Sequence, residues 1–277
     1  PVITTRGCPY RCTFCAGFRI TGHRIRHRPL ELVWEEIDLL VNEFGVKEIH
    51  IEDDNFTFNA DYAKEFCRMA LKRKPGLHFS TPNGVRLDTL DRELLNLMKR
   101  AGWYIIHCGV ESGSDRVLRS VNKSLSTAVI AEKIALIRSC ELPTAGYFIL
   151  GLPGETREDM EKTIAFAVSS GLDWAQFASF LPIPGSAAGD RWFEEHGYTE
   201  KLWQNFHNTR CPAPPKGVTR RELMLLQRRA FMKFYLRPGP LFRIAGQFLR
   251  PKVVPYLVKR FLAYLHSSGV DPDASSE

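Results

Sequence analysis

Between residues 30 and 181 the hydrophobic period switches repeatedly from three or four residues to two and back, with Gly or Pro near most of the switches. Apolar Leu32, Val33, Ile37, Leu40, Val41 and Phe44 form a helical stripe over 30–44. KEIHIEDD (47–54) then alternates, with Ile49 and Ile51 on one face and His50, Glu52 and Asp54 on the other. Asn59 is placed to cap a helix over 60–74, which Pro75-Gly76 stops. The pattern continues with strand 77–86, helix 87–101 closed by Gly102, strand 103–112 and helical segments to Cys140. Strand 143–154, helix 157–170 closed by Gly171 and strand 173–185 follow. With residues 1–4 as a first strand, six strands alternate with helices. Repeated βαβ units imply parallel strands with right-handed crossovers, and so an α/β fold. Polar groups gather at the strands' C-terminal ends, at Asp53, Asp54, Asn83 and Glu111, with Gly151 and Pro182 alongside. In a parallel barrel that end builds the active site.

The chemistry enters at RGCPYRCTFC, where Cys8, Cys12 and Cys15 follow the first strand with CxxxCxxC spacing. A structural zinc site closes on four ligands, and a four-iron cluster takes one thiolate per iron. No fourth cysteine has a suitable local spacing, so a cluster here keeps one iron open for a ligand that is not protein. A redox or zinc motif in a loop is the plainer alternative. Cys67, Cys108, Cys140 and Cys211 are scattered and read as buried apolar thiols. Seven cysteines without framework spacing speak against a disulfide-stapled secreted protein and for a reducing cytoplasm.

CxxxCxxC with an aromatic, Phe14, directly before the third cysteine resembles the radical S-adenosylmethionine (SAM) enzymes. The resemblance implies a 4Fe-4S cluster on Cys8, Cys12 and Cys15, with SAM on the open iron and a 5′-deoxyadenosyl radical as product of its cleavage. It also implies an open, partial (β/α)6 TIM-like barrel, which spacing alone does not separate from a doubly wound sheet. GVESGS (109–114) resembles the family's SAM-contacting strand end and assigns that role to Glu111 and Ser112; a helix-capping turn is the local alternative. GYFILGLPGET (146–156) resembles the glycine-containing fifth strand, with Ile149, Leu150 and Gly151 against adenine. Glu155 reads as a first-turn acid of the next helix. EDDNF (52–56) departs from the family's Gly-Gly-Glu; Asp53 or Asp54 would meet the SAM ammonium there, unless the turn is purely conformational. Phe14 and Asn83 join the cofactor contacts, Arg86 and Gln176 the pocket lining, and His107 and Tyr147 are the candidate catalytic groups.

RGCPYRCTFC, DDNF, GVESGS and GLPGE together resemble the subgroup with an N-terminal cobalamin-binding domain, relatives of anaerobic magnesium-protoporphyrin ester cyclases and radical methylases. The chain opens on Pro1, already inside a strand, so such a domain is expected upstream; no cobalamin motif stands within these residues. The expected reaction is methylation or cyclisation of a hydrophobic small molecule, lipid or porphyrin-like, with flavodoxin or ferredoxin as reductant. An RNA- or protein-modifying methylthiotransferase and a silent iron–sulfur binding protein are the competing classes. Residues 1–185 form the expected core and 186–277 a mainly helical extension, where a methylthiotransferase would carry a small β-rich domain.

Charge is uneven along the chain. Residues 1–28 hold six arginines and no acid, and residues 216–265 hold twelve Lys and Arg against Glu222 alone. Of the first group, Arg19, Arg24, Arg26 and Arg28 follow the cysteine loop, where cations counter an anionic cluster or bind a carboxylate. The second, with LFRIAGQFLRPKVVPYLVKRFLAYL (241–265), either caps the core or lies on an anionic membrane surface. No nucleic-acid reader motif accompanies it, and no apolar run reaches the roughly 18 residues of a membrane span. A cytoplasmic protein, peripheral at the membrane if at all, is the expectation.

Overall fold

The computed structural model describes residues 1–73, 76–248 and 255. The chain divides into two compact units, Pro1–Phe234 and Tyr235–Glu277. In the first unit β1 (Thr5–Arg6) and β2 (Arg26–His27) form an antiparallel pair around the cysteine loop and α1 (Gly17–Thr21). Then follow α2 (Leu30–Phe44), β3 (Glu48–His50), α3 (Ala60–Arg73), β4 (His78–Ser80), a 3-10 turn (Leu87–Thr89) and α4 (Arg92–Ala101). β5 (Ile106–Glu111), α5 (Asp115–Ser120), α6 (Thr127–Ser139), β6 (Thr144–Leu150), α7 (Arg157–Ser169) and β7 (Trp174–Ser179) complete the alternation. After Ser179 come α8 (Ala187–His196), α9 (Glu200–Gln204) and α10 (Arg220–Tyr235), with α11 (Pro238–Phe248) in the second unit.

β3 pairs with β4, and β5 with β6 and β7, all parallel. Single parallel bridges Val2↔Ile51, Phe79↔Trp103 and Val85↔Cys108 join these ladders. The order is therefore Val2, β3, β4, β5, β6, β7, and no pairing among the described residues closes β7 back onto Val2. Residues 1–4, expected as a full strand, contribute one bridge. The reason is Asp53, whose carboxylate takes the N–H groups of Thr4 and Thr5 at 2.6 and 3.0 Å that a ladder would otherwise use. The helix expected from residue 87 begins at Arg92, because Asp91 caps it through the Leu94 N–H at 2.7 Å.

One face of the sheet is closed by helices. Phe79 packs among Trp34 of α2, Phe66 of α3 and Trp103, with ring centroids 4.8–6.4 Å apart. Val110, Phe148, Leu150 and Phe177 continue this buried layer. Full burial of each such side chain is worth about 1.5–3 kcal/mol. The alternate positions His50, His107, Tyr147, Ile149 and Gln176 stay partly open. The edge at β7 is covered by α10 and the segment before it. Gln227 donates to the carbonyls of Phe177 (2.8 Å) and Asn208 (2.9 Å), and Ser179 N–H donates to Asn208 (2.8 Å). No described helix is long and apolar enough to cross a membrane. Beyond Phe248 the basic stretch 241–265 lies outside the described residues, Pro255 excepted.

Candidate functional site

The cysteine loop is tied to the strand ends on several sides. Asp53, buried after β3, accepts from Thr4 N–H and O–H and from Thr5 N–H and O–H at 2.5–3.0 Å. Burial pushes its carboxyl above the usual range, and those four donors resist the shift. Asp54 accepts from Gly7 N–H at 3.1 Å. Thr13 N–H donates to Val121 after α5 (3.0 Å), and Ala188 N–H of α8 donates to Thr13 (2.8 Å). Phe14 packs on an apolar cluster of Val117, Val121, Leu152, Phe180, Ala188 and Ala213, as does Ile149.

All three loop cysteines are free thiols, with Cys8 and Cys12 partly buried and Cys15 exposed. Burial pushes the Cys8 and Cys12 thiols up. Lys123 and Arg86 pull Cys12 the other way, toward thiolate. Gly17 N–H points at Cys15 Sγ from 3.3 Å. Three thiols on one loop, with buried cations and an N–H directed at sulfur, suit an anionic iron–sulfur cluster. Among the described residues no three His, Cys, Asp or Glu side chains converge on a single ion; in a cluster each thiolate meets its own iron.

Behind Cys12 stands a buried ion pair that the sequence reading missed. Lys123 Nζ lies 2.8 Å from Glu111 Oε1, with the residues only 7 % and 8 % exposed. Glu111 ends β5 at a bulge, and its φ of 65° is left-handed, as are Asn122 and Ser124 at 54°. A Cβ on Gly109 would stand 2.5 Å from Glu111 Oε1 and 3.0 Å from Lys123 Nζ, so glycine there makes room for the pair. Arg86 closes the same corner. Its guanidinium stacks 3.7 Å from the centre of the Tyr10 ring, donates to Ser124 at 3.2 Å and pairs with Asp88 at 2.9 Å.

Other predicted site residues fall into two groups. Asn83 bonds the Glu52 carbonyl at 3.0 Å, and Tyr147 donates to Pro82 at 2.7 Å while stacking on His107 at 5.8 Å. Burial holds His107 below the usual imidazole range and pushes Tyr147 up to about 12; His107 Nδ1 is buried without a partner. With exposed Gln176 opposite Tyr147 in register, these line the open face. The second group serves the fold. Ser112 shares a 3.0 Å hydrogen bond with Thr163 of α7, and Leu150 is fully buried. The close neighbour that Gly151 admits is Leu223 of α10, 2.8 Å from where its Cβ would be. Glu155 lies ahead of α7 rather than in its first turn, since Thr156 is the cap; its carboxylate accepts from Gly151 and Leu152 N–H at 2.6 and 3.0 Å.

The structure thus places a three-thiol loop at the strand ends of a parallel, unclosed α/β sheet, with donors of the kind that hold a metallocluster. The model of the Radical SAM superfamily matches residues 2–167. The chain is 32 % identical over 242 residues to an uncharacterized methyltransferase of Pyrococcus horikoshii, covering 87 % of this chain and 52 % of that one. It is 31 % identical over 239 residues to an anaerobic magnesium-protoporphyrin IX monomethyl ester cyclase of Cereibacter sphaeroides, covering 84 % and 38 %. The structure of the radical SAM methyltransferase TsrM from Kitasatospora setae, with cobalamin and a [4Fe-4S] cluster, is similar in fold. Its TM-score is 0.63 at 20 % identity, covering 70 % of this chain and 39 % of that one. The chain spans about half the length of the first relative and less of the second. It belongs to the radical SAM superfamily; membership implies SAM and a four-iron cluster.

Proposed function

We propose that Cys8, Cys12 and Cys15 hold a 4Fe-4S cluster at the mouth of a partial (β/α)6 barrel, with SAM on the remaining iron. The observation that carries this reading is the anchored three-thiol loop with the Glu111–Lys123 pair behind Cys12. When bound, cluster and SAM supply reductive cleavage of the sulfonium carbon–sulfur bond and hence a 5′-deoxyadenosyl radical. The chain's own residues hold and shield. Glu111 and Lys123 offer opposite charges to the ammonium and carboxylate of the SAM amino-acid end, and Asp54 adds a carboxylate beside Gly7. Phe14 and Ile149, partly buried on one apolar cluster, offer a seat for adenine. His107, kept neutral by burial, exchanges a hydrogen bond with substrate without bringing a charge into the cleft.

The reaction we infer is methylation or oxidative cyclisation of a small molecule with cobalamin, supported by the named methyltransferase and cyclase relatives. A cytoplasmic setting, a lipid or porphyrin-like substrate, peripheral membrane contact through the basic C-terminal stretch, and a core of 1–185 with extension 186–277 belong to the same proposal. Anaerobically reconstituted protein should bind about four irons and convert SAM to 5′-deoxyadenosine with a low-potential reductant. The Cys8→Ala, Cys12→Ala, Cys15→Ala triple variant should lose both. Cleavage retained in that variant would overturn the assignment. Methyl-labelled SAM supplied with cobalamin tests the methylase branch, which no labelled methylcobalamin would remove.

A further inference from the structure

Arg86 follows Val85, whose N–H donates to the His107 carbonyl at 2.7 Å, so its backbone is fixed against β5. The residue is 7 % exposed, and a buried guanidinium needs partners to offset its lost hydration. It has three. Its plane lies 3.7 Å from the centre of the Tyr10 ring, one N–H donates to the Ser124 carbonyl at 3.2 Å, and Nε pairs with Asp88 at 2.9 Å. Among the described residues Asp88 is its one carboxylate partner, and Asp88 is exposed. Solvent therefore screens the carboxylate more than the buried cation it faces.

Two of these partners belong to the walls around the thiols. Tyr10 is the middle residue between Cys8 and Cys12. Ser124 ends the segment that holds the loop from the other side, where Thr13 N–H donates to Val121 at 3.0 Å and Cys12 Sγ lies 3.8 Å from the Asn122 carbonyl. Arg86 thus ties the Cys8–Cys12 turn to the segment 121–124. Its charge favours thiolate at both Cys8 and Cys12. We propose that Arg86, held behind the Cys8–Cys12 turn by its stack on Tyr10, raises the reduction potential of the cluster on this loop. The inference rests on the cluster assignment above. Reduction adds one negative charge to the site, and a cation buried in low dielectric favours the more negative state. Net charge and solvent exposure are among the levers that set such potentials.

The midpoint potential of the reconstituted full chain, without SAM, tests this directly. Dithionite supplies the electron under anaerobic conditions, and paramagnetic resonance reads the reduced fraction. Arg86→Gln should lower the equilibrium constant for one-electron reduction about tenfold, which is about 59 mV for one electron. Arg86→Lys restores the charge without the planar stack and should recover most of that loss, a rescue that a merely structural role would not give. Arg86→Gln with full iron and the wild-type midpoint overturns the proposal, and so does Arg86→Lys as low as Arg86→Gln. Should Arg86→Gln hold no iron, Asp88→Asn decides, because it removes the exposed counter-ion and leaves the guanidinium in place. Its midpoint should rise, and an unmoved midpoint overturns the proposal. Wild-type protein that binds no iron would instead refute the cluster assignment, and iron analysis before the titration reads that separately.

Discussion

The carboxylate of Glu111 and the ammonium of Lys123 are buried together 2.8 Å apart, at a strand end that carries a bulge. A buried pair is costly to desolvate and costlier to break, since removing one partner strands the other charge, at about 3–5 kcal/mol. Lys123→Met should therefore lower the urea midpoint sharply, and the uncharged double variant Glu111→Gln, Lys123→Met should recover most of the loss. A double variant no more stable than the single one would show that the pair is not coupled. The same single variant should weaken SAM binding, read by isothermal titration.

Gly109 gives a second handle on that pair. Its Cβ would sit 2.5 Å from Glu111 Oε1, so Gly109→Ala forces the carboxylate aside without removing a charge. Overpacking of this kind costs about 1–3 kcal/mol. The expected result is a folded protein with SAM affinity lowered relative to wild type. Unchanged affinity would place the SAM amino-acid end away from Glu111.

Asp53 holds the start of the cysteine loop by four hydrogen bonds from Thr4 and Thr5. Asp53→Ala leaves buried donors unpaired, at about 1–3 kcal/mol for each one left without a partner and not additively. Beyond the fall in thermal midpoint, the loop should lose its register against β3, and iron per chain after reconstitution should drop. An Asp53→Ala protein that melts earlier yet binds iron fully would mean that the loop is positioned by its contacts with Val121 and Ala188 instead.

The order of strands and helices was readable because its signals are local. Ile49 and Ile51 alternate with His50, and Gly102 and the residues capping α4 and α7 mark element ends. The grouping of Cys8, Cys12 and Cys15 on one loop was readable from their spacing. What escaped depends on pairs remote in sequence. Lys123 meets Glu111 across twelve residues that include α5 and two left-handed positions, none of which a period reveals. Asp53 reaches Thr4 from 49 residues away and shortens the strand expected there. Gly151 reads as a seat for a flat ligand, but the neighbour its missing side chain admits is Leu223, far along the chain in α10.

Glu155 makes the folded state sensitive to alkaline pH. It is 1 % exposed; one oxygen takes the N–H groups of Gly151 and Leu152, and the other has no partner. Burial pushes its carboxyl from the usual 4.5 up to about 8. Between those values the native state holds a proton that the unfolded chain has released. The contribution to stability is thus fully present below about pH 4.5, falls as pH rises, and is gone above about pH 8. At 1.36 kcal/mol per pH unit the span corresponds to on the order of 5 kcal/mol. Glu155→Gln keeps an oxygen for both N–H donors but has nothing to ionise. Urea unfolding at about pH 6 and about pH 9 should show a large loss in wild type and a much smaller one in the variant. Equal losses in the two proteins would remove Glu155 as the cause and assign the pH dependence to groups outside the turn between β6 and α7.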